Sequence, residues 1–457
     1  MPFERCAGAT RRACRSVGSG RKRDPVIEHP IPALPPSPTA VKFSRYQVAV
    51  VAILAFLQFT VVLDFMILSP LGAMLMRDLA VTPAQFGLVV SAYAFSAGVS
   101  GLLTAGFADK FDRKKLLLFF YAGFVLGTLL CGLAPSYRLL MGARTFTGLF
   151  GGVIGSISMA IIADLFPLEA RGRVMGFVMT AFAGSQVLGI PIGLYLSNAW
   201  GWHAPFLMIA GVSAVVGVVI FATLRPIDAH LGKKADRNPL HHLLVTVTKP
   251  RHQWGFAATM LLALGGYMLM PFGSAFTVHN MGIPLEKLPM IYMATGVAAL
   301  FAGPVMGRVS DAVGKYRTFA AGSLVAIGIV LFYTHLGSTP IGTVIAINVC
   351  MFSAISARMV SAQALASGIP APQDRGAYMS ISSSMQQLAG GVAASCAGLL
   401  VTQTGDGPLE HYERLGYVVS LAMLGTIVMM ARINVLVMGA PKKPETVTVP
   451  AGSPAVD

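Results

Sequence analysis

Charge is what this chain has least of. Only 12% of its 457 residues are Asp, Glu, Lys or Arg while 55% are hydrophobic. A water-soluble domain of this size could not bury so many apolar residues, and they fall in runs long enough to span a bilayer. Acids are scarcer still, 19 against 34 bases, for a net charge of +15. The Lys and Arg sit in short segments between apolar runs, where they set membrane orientation, so nucleic acid is excluded as a partner. Five Cys are present. Cys6 and Cys14 precede the first apolar run and Cys131, Cys350 and Cys396 lie inside such runs, which excludes a disulfide framework or a metal-ligand spacing. A Gly-rich phosphate loop is missing, which argues against an ATP-driven pump. No nucleophile and base or metal-ligand constellation points to an enzyme, and no cofactor is expected. What is left is a polytopic membrane protein.

Residues 1–45 are rich in Arg and then Pro, with no period that could pack a core; they read as a disordered cytoplasmic tail. They resemble a transit peptide faintly, lack the apolar stretch of a secretory signal, and are equally explained by a misplaced start codon. Six helices are predicted in a first bundle, 46–224, near 47–76, 84–107, 115–134, 138–166, 172–199 and 202–224. A polar, basic linker covers 225–251, where Leu240, Leu243, Leu244 and Val247 at helical spacing predict a short amphipathic helix on the membrane surface. Six more helices are predicted in a second bundle, 252–438, near 252–279, 288–309, 316–336, 341–369, 376–403 and 414–438, followed by a disordered tail, 439–457.

The two sets of six look duplicated. Pro70-Leu71-Gly72-Ala73 corresponds to Pro271-Phe272-Gly273-Ser274, Asp109 to Asp311, and Arg171-Gly172 to Arg375-Gly376, all offset by about two hundred residues. Gly and Pro are common in membrane helices, which accounts for any one match but not for the shared spacing. Basic residues fall overwhelmingly on alternate loops: the first tail, Lys110–Lys115, Arg171 and Arg173, the linker, Arg308–Arg317, Arg375, and Arg432 to Lys443. The other loops hold only Arg77, Arg138, Lys287 and Arg414, so both termini are expected in the cytoplasm.

Two charged hairpins carry the repeat. Ala105-Gly106-Phe107-Ala108-Asp109-Lys110-Phe111-Asp112-Arg113-Lys114-Lys115 joins helices 2 and 3, and Gly307-Arg308-Val309-Ser310-Asp311-Ala312-Val313-Gly314-Lys315-Tyr316-Arg317 joins helices 8 and 9. A carboxylate there can accept hydrogen bonds from a neighbouring helix N-terminus, and Arg113 or Lys114 can pair with Asp164 or Glu169 at the end of helix 4, tying the two halves together on one face. The same bases also satisfy a purely topological role.

With twelve helices in two sixes and these hairpins, the chain resembles the major facilitator superfamily from about residue 46 to 438. The first hairpin is similar to its signature Gly-x-Leu-Ala-Asp-Arg-x-Gly-Arg-Arg/Lys, with Ala105 and Asp112 where glycines are usual; the second keeps Gly307 and Gly314. The resemblance implies an all-α fold of two pseudo-symmetric six-helix bundles, and a gate latch built from Asp109, Arg113, Lys114, Asp311, Gly314 and Arg317. Arg144-x-x-x-Gly148-x-x-x-Gly152 resembles the superfamily's helix-4 motif, its Arg either facing a cavity or snorkelling to headgroups. Gly184-Ser185-Gln186-Val187-Leu188-Gly189-Ile190-Pro191-Ile192-Gly193 resembles its antiporter motif, with the proline one residue late. Gly184, Gly189, Pro191 and Gly193 would then bend helix 5 and let neighbours pack closely.

Asp64 and Arg358 are charges set in the middle of apolar runs, each costing at least about 2.5 to 3.5 kcal/mol at the bilayer centre. They either face the central cavity or are ion-paired, with one another or with Arg144. Burial favours the neutral acid and a nearby guanidinium favours the anion, so alternating access can switch Asp64 between holding and releasing a proton. Asp64, Arg144 and Arg358 are therefore the candidate coupling residues. Asp64, Tyr93, Gln186, Tyr267, Arg358 and Gln386, with Gln387 beside them, are the candidate cavity residues, although such polar side chains also serve as interhelical glue. The expected protein is a multi-pass inner-membrane transporter, most similar to the drug:proton antiporter and sugar efflux branch. Its partners would be a small molecule, protons and lipid, and it would act as a monomer. A nutrient importer, and a transport-inactive sensor or scaffold, are the competing readings.

Overall fold

The computed structural model describes residues 43–104, 108–228, 231, 239–371, 374–403 and 407–438. The two terminal tails expected from composition lie outside the described residues, save for 43–45. Backbone N–H and C=O groups have no water to bond in a bilayer, so long apolar runs close their hydrogen bonds internally as helices. Eleven described helices are long and apolar enough to cross a membrane. They are α1 (Arg45–Ile67), α2 (Pro83–Thr104), α3 (Arg113–Gly132), α4 (Tyr137–Leu165), α5 (Ala170–Trp200), α6 (His203–Thr223), α7 (Pro250–His279), α8 (Leu285–Val313), α9 (Lys315–Tyr333), α10 (Ile341–Ala366) and, last in the chain, α12 (Tyr412–Met438). Between the last two lies α11 (Arg375–Leu400), 26 residues long and so about 39 Å. It packs along the whole of α2, and the Ser, Gly and Gln residues that suit it to that contact dilute its hydropathy. The architecture is all-α, with twelve helices in two six-helix bundles.

Two predicted spans are broken where sequence predicts them continuous. The first ends at Ile67 and resumes as the short helix Gly72–Asp78; the seventh ends at Tyr267 and resumes through a 3-10 turn, Met270–Phe272, into Gly273–His279. The breaks fall on the repeated Pro-x-Gly quartets, and they meet. Ser69 Oγ donates to the Met270 carbonyl, Ser274 Oγ donates to the Ser69 carbonyl at 2.9 Å, and a Cβ on Gly72 would stand 3.0 Å from the Pro271 carbonyl. Each proline lacks the N–H that would continue its helix, and Gly72 lets the partner break approach, whereas Gly273 has nothing within 4 Å.

This contact sits on the face opposite the charged hairpins. There one apolar core is shared by both bundles, running from Leu68, Leu71 and Met74 through Phe86 and Phe272 to Phe276 and Ile291. On the hairpin face the cores are separate: Leu54, Leu117 and Ile161 belong to one, Phe256, Phe319 and Leu365 to the other. The bundles are thus joined on the face opposite the hairpins and parted towards the basic face, except along the α2 and α11 seam.

The linker does form a helix, Pro239–Thr248. Leu243 and Val247 pack against the core of the second bundle and Leu244 is exposed, so it rests on protein with one edge turned outward. A two-stranded antiparallel ribbon, Thr402–Gln403 with Leu409–Glu410, follows α11; Asn280 bonds both the N–H and the C=O of Leu409, at 2.8 and 2.9 Å.

Candidate functional site

Asp64 and Arg144, eighty positions apart in sequence, form a fully buried ion pair: Arg144 Nη1 lies 2.8 Å from Asp64 Oδ2. The same nitrogen donates to the Asp64 carbonyl at 3.3 Å, and Thr128 Oγ1 on α3 donates to Asp64 Oδ1 at 3.1 Å. Both carboxylate oxygens therefore have a donor, while Arg144 Nε has no hydrogen-bond partner. The guanidinium lies 4.6 Å from the Tyr93 ring centroid, a cation–π contact that α2 supplies. Snorkelling to headgroups is ruled out for Arg144, since the side chain is 1% exposed and paired.

Small residues make the pair possible. A Cβ on Gly148 would stand 2.1 Å from Ser96 Oγ and one on Gly152 would stand 2.5 Å from Ala97 Cα, so α4 lies against the α2 backbone and holds Tyr93 over Arg144. A Cβ on Gly151 would stand 2.6 Å from the Tyr93 hydroxyl. From Tyr93 an aromatic chain crosses to the second bundle: Phe65 stands 5.3 Å from Tyr93 and 5.9 Å from Tyr267, centroid to centroid, and Tyr267 packs on Gly390 of α11.

Arg358 is not part of this cluster. It lies on the buried side of α10, where Nε donates to Ser323 Oγ of α9 at 3.0 Å and the guanidinium stands 5.8 Å from the Phe319 ring centroid. Nη2 has no hydrogen-bond partner, and among the described residues no acid pairs with it. Of the serines near it in sequence, Ser361 bonds Ser310 instead. Gln186 Nε2 approaches Met66 Sδ at 3.9 Å, Gln386 is half-buried on α11, and Gln387 Oε1 is buried without a hydrogen-bond partner.

In α5, Ser185–Gly189 form a π turn immediately before Pro191. The wider turn gives the proline ring room that a regular helix would deny it. Ser185 Oγ donates to the Phe59 carbonyl at 2.9 Å, and a Cβ on Gly189 or Gly193 would stand 2.6 Å from Leu63 or Ile67 of α1. Gly184 is less confined, its nearest neighbour being Phe59 at 3.7 Å. Gly189→Leu should therefore push Leu63, the neighbour of Asp64, and lower transport at least about tenfold. Because Leu63 is flexible, membrane levels should stay within about twofold of wild type. Transport assays on level-matched membranes check this, with Gly184→Leu as the mild control; unchanged transport in Gly189→Leu would leave the motif a matter of packing.

The first hairpin pairs within its own bundle. Arg113 Nε lies 3.2 Å from Asp164 Oδ2, the pairing the sequence reading expects, and Arg113 Nη1 donates to the Ala108 carbonyl at 3.2 Å; both residues of this pair belong to the first bundle, so the contact secures α3 to α4. Lys114 takes no acid partner among the described residues: Nζ donates to the Phe221 carbonyl at 2.9 Å and lies 5.5 Å from that ring. The side chains of Asp109 and Glu169 lie outside what is described. Asp112, standing where a glycine is usual, caps α3 by accepting from Lys115 N at 2.9 Å, and its other oxygen accepts from Ile227 N at 2.9 Å. That role was legible as an N-cap signal, an acid just before a helical run; the tie to the linker was not. Gly314 in the second hairpin has φ +106°, a conformation that needs glycine, whereas Asp112 has φ −55° and does not. Asp311 and Arg317 are exposed, without an ion pair among the described residues.

The geometry is that of a membrane machine with its ionic centre between helices of one bundle and a shared closure on one face. The Major Facilitator Superfamily profile matches residues 54–394 and again 255–455. The uncharacterized MFS-type transporter YbcL of Bacillus subtilis (strain 168) is 25% identical over 370 residues, 81% of this chain and 93% of that one. The vacuolar membrane amino acid uptake transporter fnx2 of Schizosaccharomyces pombe is 31% identical over 171 residues, 36% of this chain and 30% of that one. In fold, the chain is similar to a bacterial homologue of the human lysosomal transporter Spinster, crystallised inward-facing and unoccupied, with a TM-score of 0.65 and 18% identity over 86% of this chain and 96% of that one. A profile that runs through both bundles, on a scaffold of this shape, leaves one conclusion: the chain belongs to the major facilitator superfamily.

Proposed function

We propose that this protein is a proton-coupled secondary transporter that exports a small molecule across the cell inner membrane by alternating access, with both termini in the cytoplasm. The observation that carries the reading is the Asp64 and Arg144 pair, buried at 0% and 1% exposure between three helices of the moving bundle. An ionisable acid kept there against the cost of burial is where a proton can be taken up and released as the bundle moves. Tyr93, Phe65 and Tyr267 link that centre to the second bundle. Export rests on the glycines, π turn and Pro191 of α5.

The deciding experiment is accumulation of a substrate panel in inverted vesicles under an imposed pH gradient, which reports direction, coupling and chemistry together. Gradient-dependent accumulation is expected; efflux-insensitive vesicles with every member of the panel would sink the transporter reading. Orientation has its own test. Because Lys110, Lys114, Arg225 and Lys249 share one face and Arg77 and Lys287 the other, reporter fusions at residue 231 should read cytoplasm and fusions at Lys287 should read outside.

A further inference from the structure

The first turn of α7 and the last turns of α12 meet on the basic face, and they bring two guanidiniums together without an acid. Arg432 stands 5.6 Å from the Trp254 ring centroid, and Arg251 Nη2 donates to the Leu436 carbonyl at 3.4 Å. Arg251 and Trp254 are three residues apart on α7, and Arg432 and Leu436 four apart on α12, so each pair shares one side of its helix. Both arginines and the tryptophan are exposed. Neither arginine is ion-paired among the described residues. The sequence of α7 holds no Asp or Glu, and the one acid of α12, Glu413, lies at its other end. Asp374, at the start of α11, is taken by Lys249.

The first bundle repeats the arginine on an aromatic ring, with a carboxylate close by. Arg225, two residues past the end of α6, stands 5.0 Å from the ring centroid of Tyr46 at the start of α1, and two residues further on Ile227 N donates to Asp112 Oδ2 at 2.9 Å. The second hairpin has Gly314 at the position of Asp112, so the repeat brings no corresponding acid to Arg432. Deeper in the membrane the same surface is apolar. Val428, Leu424 and Leu421, which precede Arg432 by four, eight and eleven residues and so lie on its side of α12, are exposed.

We infer that this rim of the second bundle is a binding site for an anionic phospholipid, with its phosphodiester between Arg251 and Arg432 and an acyl chain laid along Val428, Leu424 and Leu421. A guanidinium presents paired N–H donors that match two phosphate oxygens. Trp254, in the first turn of α7, stands at the boundary of the apolar belt, the level that tryptophan shares with lipid headgroups. A zwitterionic lipid carries its own cation beside the phosphate, and a soluble acidic peptide has no chain for the apolar strip. An anionic lipid matches both halves of the surface. Its headgroup supplies the negative charge that Gly314 does not, and it fastens the start of α7, where the linker ends, to α12. The inference is independent of the direction and substrate of transport.

The experiment is quenching of Trp254 fluorescence by brominated lipid in the full chain. The protein is reconstituted in phosphatidylcholine bilayers at about 0.15 M salt, which screens diffuse surface attraction, and titrated with phosphatidylglycerol or phosphatidylcholine brominated on the acyl chains. Each protein is measured with Trp254 and with Trp254→Phe, and the difference isolates this residue from Trp200 and Trp202. Association of the brominated phosphatidylglycerol is expected to be at least about fivefold stronger than that of the brominated phosphatidylcholine. In Arg251→Gln with Arg432→Gln the two lipids should come within about twofold of each other, and because both positions are exposed the yield of folded protein should match wild type. Equal quenching of wild type by the two lipids overturns the inference. A preference for phosphatidylglycerol that survives in the double variant overturns it as well, since the attraction then comes from the basic face at large. The bromines ride on the acyl chains, so free phosphate in the buffer gives no signal.

Discussion

Asp64→Asn is expected to abolish substrate-driven proton movement in proteoliposomes, by at least about a hundredfold, while the protein still binds substrate. The amide keeps the shape of the carboxylate and its contact with Thr128, but it carries no proton that transport can exchange. A proton arriving at Oδ2 competes with Arg144 Nη1 for the same oxygen, so protonation loosens that contact and leaves Nη1 with its bond to the Asp64 carbonyl. Removing one member of a buried pair also leaves the other uncompensated, at a cost of about 3 to 5 kcal/mol, and the single variant should melt lower than wild type. The double variant Asp64→Asn with Arg144→Met removes both charges and should recover most of that stability without recovering proton movement. Asp64→Glu should retain partial coupling, because an ionisable group survives at a shifted position. Proton flux and thermal stability measured on the three variants separate carrier from structural partner. Wild-type flux in Asp64→Asn would demote Asp64 to a partner for Arg144, and a double variant that regained flux would do the same.

Gly148→Leu is expected to remove folded protein altogether. Its Cβ would stand 2.1 Å from Ser96 Oγ and 2.5 Å from the Tyr93 carbonyl, and the second of these is backbone that cannot swing aside. Overpacking a core with one extra group costs about 1 to 3 kcal/mol when side chains can shift; here α4 and α2 would have to part, taking Tyr93 away from Arg144. Detergent-solubilised, monodisperse protein should fall at least about tenfold. Gly142→Leu, on the same helix at an exposed position with nothing within 4 Å, should stay within about twofold of wild type. Normal yield of Gly148→Leu would mean that the α2 and α4 contact is looser than these distances imply.

Much of the second-level architecture was open to a reader of the sequence because bilayers impose a length rule. Runs of about twenty apolar residues become spanning helices, and nearly every predicted span coincides with an observed one to within a few residues. The duplication was legible because proline and glycine matter for backbone shape. The quartets at Pro70 and Pro271 stand out in sequence for the reason that they break helices in space. Hydropathy alone read across those breaks, since the residues on either side are equally apolar.

What sequence determined by itself was the number and length of the apolar helices, their repeat, and which residues bear charge at membrane depth. Which charges meet was decided by tertiary structure alone. Asp64, Arg144 and Arg358 stood as equals in the sequence. A helix that is apolar on every side carries no amphipathic stripe to say which face turns inward, so nothing local distinguished the Asp64 and Arg144 pair from Arg358 against Ser323. Thr128 gave no signal, because its value lies in standing opposite Asp64, not in its neighbours along the chain. The close approaches of glycine have the same origin. Glycines are frequent in α2, α5, α8 and α11, and only the packing of one helix on another shows that Gly101 is pressed against Ser384 while Gly303 faces open space.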